Sequence, residues 1–422
     1  MQPNPADPSL ARAQAPSADT ETLLITVSGP DHRGITSGLM NLLTEAGATI
    51  GDVEQVVVRG HLVLGVVATI PLVEGDANDD LRKNLLMFGY QEDLQVSFEV
   101  VDPTPTDRRP GLVVTVIAPT VSSTDFGAVA RAIASSGGNI DRIVRIARYP
   151  VMAYELSVQR ADVDILRPEL IELARIHRLD IALQADGLGR RAQRLVVLDV
   201  DSTLIQDEVV ELLADEAGCG DEVRDITTRA MAGELDFEES LRARVALLEG
   251  LGPDDLARAR DRMRLSPGAR TFVRTLRRLG FKIAIVSGGF TYFTDHLRIE
   301  LDLDHAHANE LEFGPDGRLT GRVTGPVVDK ARKAELLRKV AHLEGVTAEQ
   351  TVAVGDGAND LDMLAAAGLG IAYNAKPLVR DAADTSLSVP YLDAILFVLG
   401  VRRADVEAAD EAAGTLTDNP PV

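Results

Sequence analysis

The amino-acid sequence predicts an α/β fold in which a doubly wound parallel sheet with an inserted helical cap follows two smaller βαββαβ units. Three observations predict this fold class. The stretch from about residue 22 to residue 185 runs twice through one pattern of strands and helices. Beyond residue 194, wholly apolar strands alternate with helices, which is typical of parallel sheets buried on both faces. A helical stretch too long for a simple crossover separates the first two of these strands.

The composition is that of a folded protein with several domains. The 422-residue chain is 45% hydrophobic and 26% charged, and its length suggests two to four units at roughly 150 residues each. Its net charge of −22 argues against nucleic-acid and anionic-membrane partners. One cysteine, Cys219, excludes an intrachain disulfide. Without a signal-like start or a long apolar run, we expect a soluble cytoplasmic protein.

The front half is predicted to hold a tail and the two βαββαβ units. Residues 1–20, rich in Pro, Ala and Ser, predict a disordered tail. The first unit spans 21–102 and opens with the strand TLLITVSG. After the proline-rich linker DPTPTDRRP, the second unit spans 111–186 and opens with GLVVTVIAP. The element order is that of ferredoxin-like domains, with two helices on one face of an antiparallel sheet.

The third domain is predicted at residues 194–401, with a cap at about 206–265 and a flexible acidic tail at 402–422. Its strands end in small or acidic residues: LVVLDV at 195–200, KIAIVSGG at 282–289 and TVAVGDG at 351–357. Ligands of parallel sheets bind beyond the carboxyl ends of the strands. The three strand ends are therefore the predicted site.

The first strand end carries two aspartates, Asp199 and Asp201. Residues i and i+2 of an extended chain face the same way, so both carboxylates can address one substrate. Hydrolysis of a phosphate ester needs a nucleophile for phosphorus and a proton for the leaving oxygen. Asp199 can attack, and Asp201 can supply the proton and later accept one from water. A strand end capped by two solvated aspartates is the alternative interpretation.

The second strand end, Ser287-Gly288-Gly289, offers a hydroxyl and exposed backbone N–H groups to phosphoryl oxygens. A lysine at the start of the helical stretch DKARKAELLRKV could neutralise phosphoryl charge. Both Lys330 and Lys333 are candidates, and the position of Lys333 at the head of AELL favours it. A plain strand-to-helix turn and a solvated lysine are the alternatives.

The third strand end, GDGAND, combines tight glycine turns with a pair of carboxylates. Such hard oxygen ligands suit Mg²⁺. We expect Asp199 and Asp356 to hold the metal through their carboxylates and Asp201 through its main-chain carbonyl, with Asp360 outside them and Asn359 near the substrate. The alternating ligand spacing of a calcium loop is missing.

Together these motifs identify the stretch from about 195 to 400 as similar to the haloacid dehalogenase superfamily and, within it, to the phosphoserine phosphatase family. DVDSTLI, VSGGF and AVGDGANDLDML carry the resemblance. It implies an aspartyl-phosphate on Asp199, a Mg²⁺ cofactor and hydrolysis of O-phospho-L-serine to L-serine and phosphate, the last step of serine biosynthesis. The resemblance also implies that Glu208 binds the substrate ammonium and Arg244 its carboxylate, while Met231 and Phe237 exclude water.

The two front units resemble ACT domains, which sense amino acids. The resemblance implies serine as a regulator and a homodimer formed through these units. The candidate ligand residues of the first unit lie at its first strand-to-helix turn: Gly29, Asp31, Arg33 and Gly34. Asn139, after Gly137-Gly138, is the analogous candidate in the second unit. Ordinary turns and caps would use the same residues.

Two other functions remain. The chain could hydrolyse another small phosphomonoester, or it could be a serine-sensing regulatory protein with an inactive phosphatase half. The second alternative predicts loss of catalytic residues, whereas Asp199, Asp201, Lys333 and Asp356 are all present.

Overall fold

The computed structural model describes residues 20–72, 77–102, 111–231 and 234–415, without the side chains of residues 77, 78 and 231. Residues 1–19 of the predicted tail and residues 103–110 of the predicted linker lie outside the described residues. The chain divides into two compact units, Met1–Arg108 and Arg109–Val422. Within the described ranges, no helix combines the length and the apolar character that crossing a membrane requires.

The first unit is one antiparallel sheet with two helices. Its elements are β1 (Thr20–Pro30), α1 (Ile35–Glu45), β2 (Thr49–Val58), β3 (His61–Pro71), α2 (Ala77–Gln91) and β4 (Gln95–Val100). The strand order is β2-β3-β1-β4. Alternate residues of β1, namely Leu23, Ile25 and Val27, are buried, because successive side chains of a strand point to opposite faces. The predicted βαββαβ order is confirmed for this unit.

The second βαββαβ unit repeats this topology inside the larger compact unit. Its elements are β5 (Leu112–Ala118), α3 (Ser123–Ser135), β6 (Asn139–Ala147), β7 (Met152–Gln159), α4 (Val163–His177) and β8 (Asp180–Ala185). The strand order is β6-β7-β5-β8. Here burial does not alternate, since every residue from Val113 to Ala118 is buried. The sheet is therefore covered on both faces.

The C-terminal domain covers the second face of this sheet. Ile117, Ala153 and Ala182 belong to one apolar core with residues of that domain such as Val398. Polar contacts join the same surfaces: Ser388 donates its backbone N–H (2.8 Å) and its hydroxyl (2.7 Å) to the Asp180 carboxylate. The second βαββαβ unit and the C-terminal domain are thus one packed body.

The C-terminal domain is built on a seven-stranded sheet with the order β12-β11-β10-β9-β13-β14-β15. Its strands are β9 (Leu195–Leu198), β10 (Lys282–Phe290), β11 (His305–Phe313), β12 (Leu319–Thr324), β13 (Thr351–Gly355), β14 (Leu369–Tyr373) and β15 (Thr385–Leu387). Neighbouring strands are parallel except for the antiparallel edge pair of β11 and β12. This arrangement confirms the predicted fold class.

The helices of this domain lie on both faces of the sheet and, in the cap, beyond the ends of its strands. They are α5 (Leu188–Arg191), α6 (Val209–Ala217), α7 (Gly220–Met231), α8 (Phe237–Ala246), α9 (Pro253–Asp261), α10 (Ala269–Arg278), α11 (Thr291–Glu300), α12 (Lys330–Leu343), α13 (Leu361–Ala366), α14 (Pro377–Ala382), α15 (Ile395–Val398) and α16 (Arg403–Ala412). In the central strand β9, Val196 and Leu198 join one apolar core and Leu195 and Val197 join another. Burial on both faces explains the continuous apolar sequence of β9.

Helices α6 to α9 form the predicted cap. The chain leaves and re-enters the domain along one hinge, where Ile205 pairs with Leu265 as an antiparallel bridge. The Ser266 hydroxyl donates to the Thr203 carbonyl at 2.6 Å, and Arg264 forms a salt bridge of 2.6 Å with Asp207. The hinge fixes where the cap stands relative to the end of β9.

The prediction of a flexible tail from residue 402 is wrong for Arg403–Ala412, which form α16. Val406 and Asp410 of this helix are buried. The Asp410 carboxylate pairs with Arg274 (2.5 Å) and with Arg278 of α10. These ion pairs with residues distant in the sequence stabilise a helix that the sequence alone did not predict. Residues 416–422 lie outside the described part of the chain.

Candidate active site

A sharp turn at the end of β9 places Asp199 and Asp201 side by side. The Asp199 backbone N–H continues the sheet by donating to the Val354 carbonyl at 2.9 Å. Ser202 then takes a left-handed conformation with φ of 57°, which reverses the chain within two residues. Its hydroxyl donates to Glu208 at 2.7 Å. The turn thereby links the predicted nucleophile to the first residues of the cap.

A fully buried lysine joins two strand ends. Lys333 has no exposed side-chain surface, and its Nζ lies 2.6 Å from Asp199 Oδ1 and 2.7 Å from Asp360 Oδ1. Burial alone would lower the pKa of Lys333, but the two carboxylates outweigh it and raise that pKa. By contrast, Lys330 is half exposed and pairs with Asp362 at 3.1 Å. The structure thus brings Lys333, and not Lys330, to the aspartates.

Three carboxylates converge beside this lysine. Oxygen atoms of Asp199, Asp356 and Asp360 lie within 4.8 Å of one another. Burial, followed by repulsion from Asp360, raises the pKa of Asp199 well above its usual value. The same two causes raise the pKa of Asp356 to about 6. A divalent cation would offset this excess of negative charge and stabilise the ionised carboxylates. Carboxylate oxygens are ligands that suit Mg²⁺.

The Asp201 carboxylate does not belong to this cluster. Both carboxylate oxygens of Asp201 are engaged elsewhere, Oδ1 by the Val209 N–H and Oδ2 by the Ser287 hydroxyl, each at 2.8 Å. The Asp201 carboxylate is therefore held toward the cap and β10, while Asp360 lies among the converging oxygens. Burial is the largest cause of the raised pKa of Asp201.

The glycines of the third motif allow this crowding. A side chain on Gly355 would place its Cβ 2.4 Å from the Asp360 carboxyl carbon. The Gly357 N–H donates to Asp360 Oδ2 at 3.0 Å. Thr203 holds Asp356 through a hydrogen bond of 3.1 Å from its hydroxyl. Asn359 lies in the same cavity lining as Asp356.

The second motif is oriented by a residue that the sequence analysis missed. Asn309, buried on β11, donates to the Gly288 carbonyl at 2.8 Å and accepts from the Val328 N–H at 2.8 Å. The Ser287 hydroxyl also accepts from the Gly289 N–H at 2.7 Å. A single asparagine in the middle of a strand gives no sequence signal for this positioning role.

The cap closes a cavity of about 740 Å³ over these strand ends. Residues from both sides line it, including Asp199, Asp201, Glu208, Phe237, Ser240, Arg244, Gly288, Asp356 and Asn359. Burial, followed by the charge of Asp201, raises the pKa of Glu208 to about 7. Burial lowers the pKa of Arg244, against the attraction of Glu208. A carboxylate and a guanidinium thus face one cavity whose floor holds the Asp199 nucleophile candidate.

Other predicted residues are placed elsewhere or remain undescribed. The side chain of Met231 lies outside the described residues. Gly34 precedes α1 with φ of 105°, and the Asp31 N–H donates to the Gly60 carbonyl at 2.8 Å. Gly29 packs against Leu94, whose Cδ2 would be 2.7 Å from an added Cβ. Asn139 bonds Asp141 at 3.1 Å. These contacts give Gly29, Asp31, Gly34 and Asn139 structural roles, and ligand binding by the candidate residues stays a prediction.

Comparison with known proteins agrees with this architecture. The family model for haloacid dehalogenase-like hydrolases matches residues 196–365, and ACT-domain models match residues 21–99 and 111–184. A phosphoserine phosphatase of Streptomyces coelicolor is 51% identical, covering 96% of this chain and 98% of its own length. The phosphoserine phosphatase SerB2 of Mycobacterium tuberculosis is 49% identical, covering 92% and 95%.

A solved structure is also similar to a large part of this chain. The crystal structure of a probable phosphoserine phosphatase from Vibrio cholerae, in unliganded form, has a TM-score of 0.54 and is 36% identical, covering 72% of this chain and 89% of its own. The expected family resemblance and the two ACT domains are confirmed. This chain belongs to the phosphoserine phosphatase family of the haloacid dehalogenase-like hydrolases.

Proposed function

We propose that this enzyme hydrolyses O-phospho-L-serine to L-serine and phosphate through an aspartyl-phosphate on Asp199. One observation carries the proposal. A single cavity holds a nucleophile candidate on its floor and an opposite-charge pair, Glu208 and Arg244, in its walls. The ammonium and carboxylate of a zwitterionic amino acid match that pair. The names of the two bacterial relatives support the same substrate.

In the first step, a carboxylate oxygen of Asp199 attacks phosphorus and the bond to the seryl oxygen breaks. Asp201 donates its proton to that oxygen, so serine leaves as the neutral alcohol. Burial raises the pKa of Asp201 and so favours the protonated form that this step requires. Lys333, 2.6 Å from Asp199, stabilises the negative charge of the transferred phosphoryl group.

In the second step, Asp201 accepts a proton from water while the water oxygen attacks phosphorus. The acyl phosphate bond breaks, phosphate leaves and the Asp199 carboxylate is restored. The backbone N–H groups of the second motif would hold the phosphoryl oxygens in both steps. In this structure the Ser287 hydroxyl is bonded to Asp201, so a bond to the phosphoryl group requires it to turn.

The donor set at the strand ends fits a divalent metal, which we assign as Mg²⁺. Asp199 and Asp356 would hold it, together with the main-chain carbonyl of Asp201, while Asp360 stays paired with Lys333. When bound, the metal would neutralise phosphoryl charge and fix the substrate relative to Asp199. The hard oxygen ligands and the uncompensated negative charge support this assignment.

Steady-state phosphate release tests the proposal. The wild type is assayed with phosphoserine, phosphothreonine and glucose 6-phosphate in Mg²⁺ and then in EDTA, beside Asp199→Asn. We expect selective hydrolysis of phosphoserine, loss of activity in EDTA, and neither turnover nor trapped phosphoenzyme in the variant. Equal rates on all three substrates would remove phosphoserine as the substrate. Turnover by the variant would remove Asp199 as the nucleophile.

We further propose that serine, the product, slows the enzyme by binding the ACT domains, as expected of an enzyme at the end of serine biosynthesis. The core that the second ACT domain shares with the catalytic domain supports such coupling. Millimolar serine should lower the rate of the full chain. An unchanged response after removal of residues 21–99 would exclude the first ACT domain as its origin.

A homodimer formed through the ACT domains is the third part of the proposal. Strand β2 is an edge strand of its sheet, and its side chains, including Val56 (51% exposed) and Val58 (61% exposed), are open to solvent. Unpaired edges with exposed apolar residues favour pairing with another chain. Light scattering should give twice the chain mass, and Val56→Lys should lower it if β2 forms the interface.

A further inference from the structure

Ser240 carries a buried hydroxyl that the fold itself does not use. The residue is 2% exposed, and its Oγ has no hydrogen-bond partner. Buried polar groups in folded proteins almost always have a partner, because an unpaired one loses its bonds to water without replacement. Five other buried polar atoms of the described residues share this lack of a partner, but Ser240 is the member of that group that lines the active-site cavity.

The helix that carries Ser240 turns one face toward the cavity. Phe237, Ser240 and Arg244 occupy positions i, i+3 and i+7 of α8, and all three line the cavity. Residues at this spacing lie above one another on one side of a helix. The Arg244 Nε donates to the Ser240 carbonyl at 3.3 Å. The guanidinium is thereby folded back beside Ser240.

The missing partner is therefore a group that enters the cavity next to Arg244. Under the proposed function that group is the substrate carboxylate. Its two oxygens can accept more bonds than one guanidinium edge supplies, and a hydroxyl donor is a suitable second partner. The ammonium is expected at Glu208, which already accepts from the Ser202 hydroxyl. The phosphoryl group is expected at Asp199, on the cavity floor at the end of β9.

We propose that Ser240 is a specificity-determining residue whose hydroxyl donates a hydrogen bond to the carboxylate of the bound substrate, beside Arg244. The inference rests on the proposed function and assigns a second donor to the carboxylate. Its sequence mark is the spacing F-x-x-S-x-x-x-R in α8. Ser240 then discriminates between phosphomonoesters of amino acids and those of simple amines.

The test compares phosphoserine with O-phosphoethanolamine, which lacks only the carboxylate, on the full chain. For Ser240→Ala we expect kcat/KM on phosphoserine to fall roughly 10- to 100-fold, the range for a hydrogen bond to a charged group. The loss should lie mainly in KM, since the bond forms equally in the ground state and the transition state. On phosphoethanolamine, kcat/KM should stay within about twofold. Ser240→Cys, a near isostere with a weak donor, should fall between.

Thr275→Ala is the matched control. Thr275 is also buried in a helix with an unpaired hydroxyl, but it does not line the cavity, so both substrates should be unaffected. Melting curves add a second readout, because a hydroxyl that is unpaired in the free protein adds no stability. Ser240→Ala should therefore melt no lower than the wild type.

The outcomes separate the two proposals. A wild type that does not prefer phosphoserine over phosphoethanolamine overturns the proposed function and this inference with it. A wild type that does prefer it, beside a Ser240→Ala variant that keeps the preference, overturns the inference alone. Equal losses on both substrates, or a lowered melting temperature, would assign Ser240 a structural role instead.

Discussion

Removing the Lys333 ammonium should cost more stability than any substitution of an exposed lysine in this chain. Lys333→Met keeps the length of the side chain but leaves the buried Asp199 and Asp360 carboxylates facing each other. In the wild type the ammonium lies 2.6 Å from one and 2.7 Å from the other, and its exposed surface is 0%. Loss of one partner of a buried pair costs about 3–5 kcal/mol.

That energy converts into a measurable shift. For the compact unit Arg109–Val422, an unfolding entropy of about 2.1 cal/mol/K per residue means that 1 kcal/mol lowers the melting temperature by about 1.5 °C. Lys333→Met should therefore melt roughly 5–8 °C lower. Lys330→Met is the matched control on the same helix. Its ion pair with Asp362 is half exposed, and such pairs are worth about 0–1 kcal/mol. The control should therefore melt within about 2 °C of the wild type.

The assay is thermal unfolding in EDTA, so that no added cation compensates for the lost ammonium. Adding Asp360→Asn to Lys333→Met removes one of the two negative charges that repel each other, and it should recover part of the lost stability. Phosphoserine hydrolysis should fall by about 10²–10³-fold in Lys333→Met and should not recover in the double variant. Equal melting temperatures for the two single lysine variants would refute the reasoning.

Three further predictions concern the cap and the interdomain contact. Glu208, whose pKa is raised to about 7, must be ionised to bind an ammonium group, so kcat/KM for phosphoserine should rise with pH up to about 7 and then level. Glu208→Gln should remove this rise with pH. An unchanged pH profile of kcat/KM in the variant would contradict the proposed role of Glu208. Arg244→Ala should reduce hydrolysis of phosphoserine more than that of phosphoethanolamine, while Arg242→Ala, which loses only an exposed pair with Glu238, should change neither. Asp180→Asn weakens the contact with Ser388. In rate measurements with added serine, inhibition by serine should therefore weaken while the basal rate stays unchanged. Full inhibition of the variant by serine would show that this contact does not couple the second ACT domain to the active site.

The catalytic motifs could be predicted from sequence because they are local. Asp199, Ser287 and Asp356 each follow a wholly apolar stretch, and parallel strands bring their carboxyl ends to one edge. No long-range information is needed to expect them together. The phosphoserine phosphatase resemblance then supplied the cap residues, which no periodicity could have assigned.

The competition between Lys330 and Lys333 shows where local patterns stop. Both lie on the apolar face of α12, since Lys330 is four residues before the buried Ala334 and Lys333 four before the buried Leu337. They differ along the helix axis: Lys330 is its first residue, and Lys333 lies one turn further in. Only the position of the helix relative to β9 decides which ammonium reaches Asp199.

The packing of the second ACT domain against the catalytic domain depends on contacts between residues that are still further apart in the sequence. Asp180 and Ser388 are 208 residues apart, and neither carries a motif. One local signal was nevertheless present, because LVVTVIA in β5 is apolar at almost every position, whereas the later part of TLLITVSG in β1, the segment ITVS, alternates apolar and polar residues. By the rule that identified the catalytic strands, a continuous apolar strand has both faces covered.

The contact between Asp180 and Ser388 is connected to the active-site cavity through neighbouring elements. Strand β8, which begins at Asp180, packs against the edge strand β15, and β15 pairs with β14. Helix α14 connects these two strands, and its residues Leu378 and Val379 line the active site. A ligand that shifts the second ACT sheet would therefore act on α14, the helix that borders the substrate cavity. Between that sheet and α14 lies only strand β15, which Asp180 contacts through Ser388.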